Sequence, residues 1–212
     1  TMTDQSGYAV NYSYDSAGRL SRLTDGTGPG SLIVEYTYDA SGRLNRKDNG
    51  NATYTLYTYD LAGQVLTIAN HAPNGSINSR FDYVYDALGR RASMTTVDGS
   101  WTYGYDGTGQ LISVIFAPVN GSPIPAQYLR YVYDSLGNRI RTIENGVTTQ
   151  YTTNNLNQYT AVGGDTLVYD ADGNLISRAG PGGNATYTYD QQNRLIRVVT
   201  PDGTWLYEYD AF

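Results

Sequence analysis

The chain has 212 residues, with no cysteine, one histidine (His71), 24 glycines, 22 tyrosines and a formal net charge of −6. Without Cys there is no disulfide, thiolate nucleophile or Cys-ligated metal, and a lone His cannot build a multi-His centre. An acidic chain with no segregated basic stripe is repelled by nucleic acid, and no apolar run approaches the roughly 20 residues of a membrane helix.

In chain order, one pattern returns. Tyr12-Ser-Tyr14-Asp15-Ser-Ala-Gly18-Arg19-Leu20 is followed by Tyr36-Thr-Tyr38-Asp39-Ala-Ser-Gly42-Arg43-Leu44 and Tyr57-Thr-Tyr59-Asp60-Leu-Ala-Gly63-Gln64-Val65. Tyr83-Val-Tyr85-Asp86 with Gly89-Arg90, Tyr103-Gly-Tyr105-Asp106 with Gly109-Gln110, and Tyr131-Val-Tyr133-Asp134 with Gly137-Asn138 come next. Tyr151-Thr-Thr-Asn154 with Asn157-Gln158 is a degenerate copy. Leu167-Val-Tyr169-Asp170 with Gly173-Asn174, Tyr187-Thr-Tyr189-Asp190 with Asn193-Arg194, and a shortened Tyr207-Glu-Tyr209-Asp210 complete about ten copies. The Asp or Asn positions lie 16 to 28 residues apart, most often 20, and 18 of the 22 tyrosines fall inside the motif, so the composition is a product of the repeat.

Each copy reads as a β-hairpin. Tyr-x-Tyr sets two rings on one face of a strand. Asp opens a turn by accepting backbone N–H bonds, and Gly three residues later takes the left-handed conformation of a type I turn with a bulge. Asn193 is the expected substitute there, since Asn tolerates positive φ. A second turn signal lies between copies, at Asp25-Gly26, Asn49-Gly50, Asn74-Gly75, Asp98-Gly99, Asn145-Gly146 and Asp202-Gly203, with Gly163-Gly164 and Gly182-Gly183 elsewhere. Two connections are longer, Ala69 to Arg80 and Phe116 to Gln127, the second interrupted by Pro118, Pro123 and Pro125.

The expected fold is therefore all-β: a repetitive antiparallel hairpin meander of about 20 short strands, with a core built largely from Tyr rings. Twenty strands at about 4.8 Å spacing make a ribbon about 95 Å long, which twists and coils. Rolled into one turn it leaves room for a lumen, where an 8-stranded barrel just fills with side chains. Residues 1–212 read as a single repeat array, and Thr1 and Phe212 read as cuts within a longer chain.

The motif Tyr-x-Tyr-Asp-x-x-Gly-Arg-Leu resembles the YD-repeat, or RHS-repeat, family, over essentially the whole chain. Members include bacterial Rhs polymorphic toxins, the C component of insecticidal Tc toxins, wall-associated bacterial toxins and animal teneurins. The resemblance implies a spiralling β-ribbon wrapped into a hollow shell, secreted or at a cell surface. In the toxin members such a shell encloses an effector. It implies as partners an enclosed polypeptide cargo or neighbouring repeats of the same protein. The Asp-Pro motif at which Rhs shells cleave themselves does not occur in this chain, so self-processing does not carry over.

The chemistry candidates each have a plainer structural reading. The Asp ladder could pair carboxylates, but turn initiation explains every copy. Asp170-Ala-Asp172-Gly-Asn174 looks like half a calcium loop without its distal Glu. The Tyr stripe could stack on glycans, though cross-strand packing suffices. Arg19, Arg43, Arg90 and Arg194 share one register and read as solvated strand-end charges. Gly26-Thr-Gly28-Pro-Gly30 and Gly180-Pro-Gly182-Gly183 lack the Lys-Ser/Thr of a phosphate loop. His71 reads as a loop residue with no catalytic partners. Asn11, Asn51, Asn74, Asn120 and Asn184 head glycosylation sequons. No catalytic, metal or cofactor site is expected. The function expected is that of a structural shell segment enclosing a toxin cargo, the alternative being an adhesive or fibre-forming extracellular module.

Overall fold

A computed structural model describes residues 1–26 and 30–210. Thr27, Gly28 and Pro29 of the first Gly-rich stretch lie outside the described residues, as do Ala211 and Phe212. Among those described there are twenty strands and no helix.

The chain divides into two compact units. The first, Thr1–Tyr103 with Ile115–Ala126, contains β1 (Met2–Thr3), β2 (Ala9–Tyr14), β3 (Leu20–Asp25), β4 (Leu32–Tyr38), β5 (Leu44–Asn49), β6 (Tyr54–Tyr59), β7 (Val65–His71), β8 (Ile77–Tyr85) and β9 (Arg91–Thr96). The second, Gly104–Val114 with Gln127–Phe212, contains β12 (Gln127–Tyr133), β13 (Arg139–Glu144), β14 (Val147–Thr153), β15 (Tyr159–Val162), β16 (Asp165–Tyr169), β17 (Leu175–Ala179), β18 (Ala185–Tyr189), β19 (Leu195–Thr200) and β20 (Gly203–Leu206). β10 (Gly99–Tyr105) and β11 (Leu111–Pro118) contribute residues to each. Within each unit every strand pairs antiparallel with the next in sequence, from β1 to β10 and from β12 to β20. This is the all-β hairpin meander that the repeat implies.

The repeated turn leaves a repeated irregularity. In the hairpins of Asp15, Asp39, Asp60, Asp86, Asp134, Asp170 and Asp190 the register shifts just before the second Tyr of the motif. Tyr38 thereby faces Leu44 while Thr37 faces Arg46, which leaves Asn45 as the extra residue. Such a bulge sharpens strand twist and re-aims the next side chain.

Alternation puts the Tyr rings on one face and the intervening residues on the other. Tyr57 pairs with Ile68 and Tyr59 with Val65, whereas Val84 and Val168, between tyrosines, are exposed. The expectation of a Tyr-built core needs correction. Among the described residues the buried apolar ones are Val34, Ala69, Val114, Phe116 and Ala185, with Thr55 and Thr142 as buried polar ones, and none is Tyr. A phenol is long and carries a hydroxyl that must find a partner. The rings therefore lie half-buried across the strands, and small or β-branched residues fill the sheet surface between them.

Two further expectations change. His71 is the last residue of β7, not a loop residue, and stacks on Tyr54 at 4.6 Å and 4°. At Asp98-Gly99 and Asp202-Gly203 the two-residue loops are Val97-Asp98 and Pro201-Asp202; each Gly already pairs in the return strand.

Candidate functional site

The repeated turn is the most regular feature of the molecule. Asp15 Oδ1 accepts the backbone N–H of Ala17 and of Arg19, each at 2.9 Å. The Asp15 N–H donates to the Arg19 carbonyl at 2.8 Å and the Gly18 N–H to the Asp15 carbonyl at 3.0 Å. The same backbone frame recurs at Asp39, Asp60, Asp86, Asp106, Asp134, Asn154, Asp170 and Asp190. The fourth residue has positive φ throughout: 77° at Gly18, 81° at Gly42, 86° at Gly63, 77° at Gly89, 90° at Gly109, 87° at Gly137, 89° at Gly173, and 59° at both Asn157 and Asn193.

Three further turns are built on this frame with no Tyr pair before them; the sequence signals at Asn49-Gly50 and Asn74-Gly75 mark two, with a different loop length, and the one at Asp4 is not signalled. The three are Asp4 to Tyr8, Asn49 to Thr53 with Ala52 at φ 64°, and Ala72 to Ser76. In the second, Gly50 is not the left-handed residue; its N–H donates to the Ile33 carbonyl at 2.9 Å.

The carboxylates are tuned by these bonds. The backbone N–H of the residue four positions on is the leading cause that holds Asp15, Asp39, Asp86 and Asp190 below the ordinary Asp value. A side-chain hydrogen bond leads instead at Asp106 (Thr108), Asp134 (Asn138) and Asp170 (Asn174). At Asp170 both carboxylate oxygens are engaged inside the turn, by Asp172 N–H, Asn174 N–H and Asn174 Nδ2. Among the described residues no group of three His, Cys, Asp or Glu is placed to hold a metal.

The arginines after the turn are not free solvated charges. Arg19, Arg43, Arg90 and Arg194 each pair with their own turn carboxylate, at 2.7 to 2.8 Å. The guanidinium of Arg19 lies 4.3 Å over the Tyr38 ring, that of Arg43 4.6 Å over Tyr59, and that of Arg194 4.9 Å over Tyr209. Each is a carboxylate–guanidinium–phenol stack that crosses a repeat boundary.

The second Tyr of the motif completes the link. Its hydroxyl donates to the carbonyl five residues after the preceding turn acid. The pairs are Tyr38 to Leu20 (2.7 Å), Tyr59 to Leu44 (2.6 Å) and Tyr85 to Val65 (2.7 Å) in the first unit. In the second they are Tyr133 to Leu111 (3.0 Å), Tyr169 to Tyr159 (3.0 Å), Tyr189 to Leu175 (3.1 Å) and Tyr209 to Leu195 (2.8 Å). Where the post-turn residue is an amide, it reaches the next turn directly: Gln64 to the Gly89 carbonyl, Asn138 to Asn157 and Asn174 to Asn193. Tyr14, in the first Tyr-x-Tyr copy, is 62% exposed.

The sequon asparagines sit differently. Asn51, Asn74, Asn120 and Asn184 are exposed, whereas Asn11 is half-buried within β2. Asn51 and Asn74 cap their own turns through Thr53 and Ser76. Outside the repeat register, Arg46 pairs with Asp48 and Arg80 with Asp82, and Arg46, Tyr54 and His71 form a three-layer stack.

The RHS Repeat family model matches residues 1–29, 85–117 and 169–204. No curated protein matches the chain in sequence. Among solved structures, the Photorhabdus luminescens Tc holotoxin pore is similar at TM-score 0.66 and 22% identity, over 93% of this chain and 12% of that one. The TcdB2-TccC3 crystal structure is similar at TM-score 0.68 and 21% identity, and its form without the hypervariable C-terminal region at 0.67 and 21%, each over 93% of this chain and 13% of that chain. The chain thus spans about an eighth of the length of the structures it matches. The stretches between the three matched ones carry the same Tyr-Asp hairpin on the same hydrogen-bond frame, so the likeness to the RHS Repeat model extends in structure beyond the residues it matches.

Proposed function

We propose that this chain is structural wall, a stretch of β-shell in a secreted or surface protein, which sequesters a toxin or effector polypeptide by steric enclosure. The observation that carries the reading is the link between repeats. A wall must resist opening between neighbours, and here the second Tyr donates to the backbone of the repeat before it, with an Arg stack added where the turn supplies one. The polar groups of the repeat are engaged in holding strands and turns together, which suits a container and not a catalyst. The TM-scores to Tc toxin structures support the shell geometry.

Electron microscopy of native particles containing this chain tests the reading. Closed hollow particles with interior density are expected; uniform fibres would overturn it.

A further inference from the structure

The position five residues after the turn acid faces the second Tyr across the hairpin. It is apolar in six repeats, as Leu20, Leu44, Val65, Leu111, Leu175 and Leu195. It is Tyr159 in the Asn154 hairpin, Arg91 in the Asp86 hairpin, opposite Tyr85, and Arg139 in the Asp134 hairpin, opposite Tyr133. Asn138 precedes it and has already taken the Asp134 carboxylate, through its backbone N–H to Oδ1 at 2.8 Å and its Nδ2 to Oδ2 at 3.0 Å. At Arg139 a cation thus sits where six repeats have an aliphatic residue, and the turn acid is occupied.

Its surroundings are phenols. The Arg139 guanidinium carbon is 5.2 Å from the Tyr131 ring centre and 5.7 Å from that of Tyr151. Its backbone N–H donates to the Tyr159 hydroxyl at 3.0 Å, and the Tyr151 and Tyr159 rings meet at 5.3 Å and 59°. Arg139 Nε is buried without a hydrogen-bond partner, and the side chain makes no ion pair with a carboxylate among the described residues. Its side chain bonds Tyr151, but a buried guanidinium N–H left without an acceptor is costly, and such a cost with no evident gain marks a functional position.

The rest of the molecule shows what is missing. Arg19, Arg43, Arg46 and Arg194 all lie over Tyr rings, and each also holds a carboxylate, from Asp15, Asp39, Asp48 and Asp190. Arg91 lies over one ring, Tyr83, whereas Arg139 stands within 5.7 Å of two and forms no ion pair with a carboxylate among the described residues. We infer that Arg139, framed by Tyr131, Tyr151 and Tyr159, is a binding site for an acidic side chain of a polypeptide laid against the Tyr face of the second unit. The planar guanidinium accommodates a carboxylate in a forked pair, and the flanking rings lower the local dielectric and strengthen it. The chain's net charge of −6 repels acidic polymers in general, so capture of one requires such a local site. The inference rests on the proposed enclosure of a polypeptide; particle morphology tests that enclosure without involving Arg139, so the two fail separately.

The test is fluorescence anisotropy of a labelled Glu-rich decapeptide with the whole chain at low salt. The variants are Arg139→Leu, Arg139→Lys and Arg141→Leu. Arg139→Leu places there the leucine found in five other repeats and removes a charge whose Nε is buried without an acceptor, so its melting temperature should hold or rise. Arg141→Leu changes net charge equally but lies on the opposite face, paired with Val132. Arg139→Leu should weaken binding about tenfold or more, the scale of a lost charge-assisted pair, and Arg139→Lys by less. Arg141→Leu should leave it within about twofold. No peptide binding by the unaltered chain, equal losses at 139 and 141, or no loss at 139 would each overturn the site. An oligogalacturonate of matched charge that binds where the peptide does not would overturn the polypeptide assignment.

Discussion

The Tyr59 hydroxyl donates to the Leu44 carbonyl oxygen at 2.6 Å, across the boundary between one repeat and the next. Neither residue is the other's ladder partner: Tyr59 pairs with Val65 and Leu44 with Tyr38. The bond therefore adds a tie that the strand ladder does not supply, at a bulge where the ladder itself is interrupted.

Removing that hydroxyl should cost stability where removing its neighbour's does not. Tyr59→Phe keeps the ring under Arg43 but loses the bond and leaves the Leu44 carbonyl without that donor, a loss of about 1 kcal/mol. Tyr57 has no hydroxyl bond among the described residues, so Tyr57→Phe should stay within about 0.5 kcal/mol. Urea denaturation midpoints of the two variants check this; equal shifts would remove the hydroxyl as the link.

Glycines of the repeat and glycines between repeats should respond differently. Gly18 has φ 77° with open space where a Cβ would stand, so Gly18→Asn should be nearly neutral, as Asn193 at φ 59° already illustrates. Gly50 does not have a positive φ, but a Cβ there would overlap the Leu32 carbonyl oxygen, which is backbone and cannot swing away. Gly50→Ala should cost about 1–3 kcal/mol, the range of overpacking, and show it as a lowered melting temperature. The reverse ranking would mean that φ, not close approach, governs both sites.

How far the sequence carried follows from these residues. The hairpins were legible because Tyr-x-Tyr-Asp-x-x-Gly is local: strand alternation, an acid that caps its own turn and a left-handed glycine need no knowledge of the remainder of the chain. What failed was non-local. Nothing around Arg43 announces that its guanidinium will lie over Tyr59, 16 residues away, so it read as a free charge. The turns at Asn49 and Ala72 were misplaced or unseen because Asn-Gly signals a two-residue loop, whereas Ala52 and Gly75 close five-residue ones. Arg139 is easily passed over because it looks like the post-turn arginines while standing one residue later, opposite Tyr133.

Acid should weaken the fold through the turn carboxylates. Asp15, Asp39, Asp86 and Asp190 titrate below the ordinary Asp value of 3.8 when folded, chiefly because backbone N–H groups four residues on bond the charged form. Unfolded, they return to that value. Their contribution is thus fully present above it and is lost as pH falls through the depressed folded values. The melting temperature should be level from about pH 8 to pH 5 and drop below about pH 4. Asp39→Asn keeps the turn bonds, as Asn154 does with Leu156 and Gln158, and should make the acid drop shallower. An unchanged acid limb in that variant would assign the loss to other groups.

One Asn-Gly pair of four should deamidate. The reaction needs the Gly nitrogen to attack the Asn side-chain carbonyl, releasing ammonia and forming a succinimide that water opens to Asp or isoaspartate. Asn49 donates to Thr53, and the Gly50 N–H is bonded to Ile33. Asn74 accepts from Ser76, and the Gly75 N–H is bonded to Ala72. Asn145 is held at both side-chain ends, accepting from Tyr128 N–H at 2.7 Å and donating to Gln127 at 2.6 Å. Asn120 is exposed, and neither its side chain nor the Gly121 N–H is hydrogen-bonded among the described residues. Incubation of the folded chain at mildly alkaline pH, followed by peptide mass spectrometry, should show conversion at Asn120 well ahead of the other three. Adding urea should bring all four together, because the protection at Asn49, Asn74 and Asn145 is conformational. Equal rates in the folded chain would mean that those three turns open freely, and that the hydrogen bonds holding them contribute little.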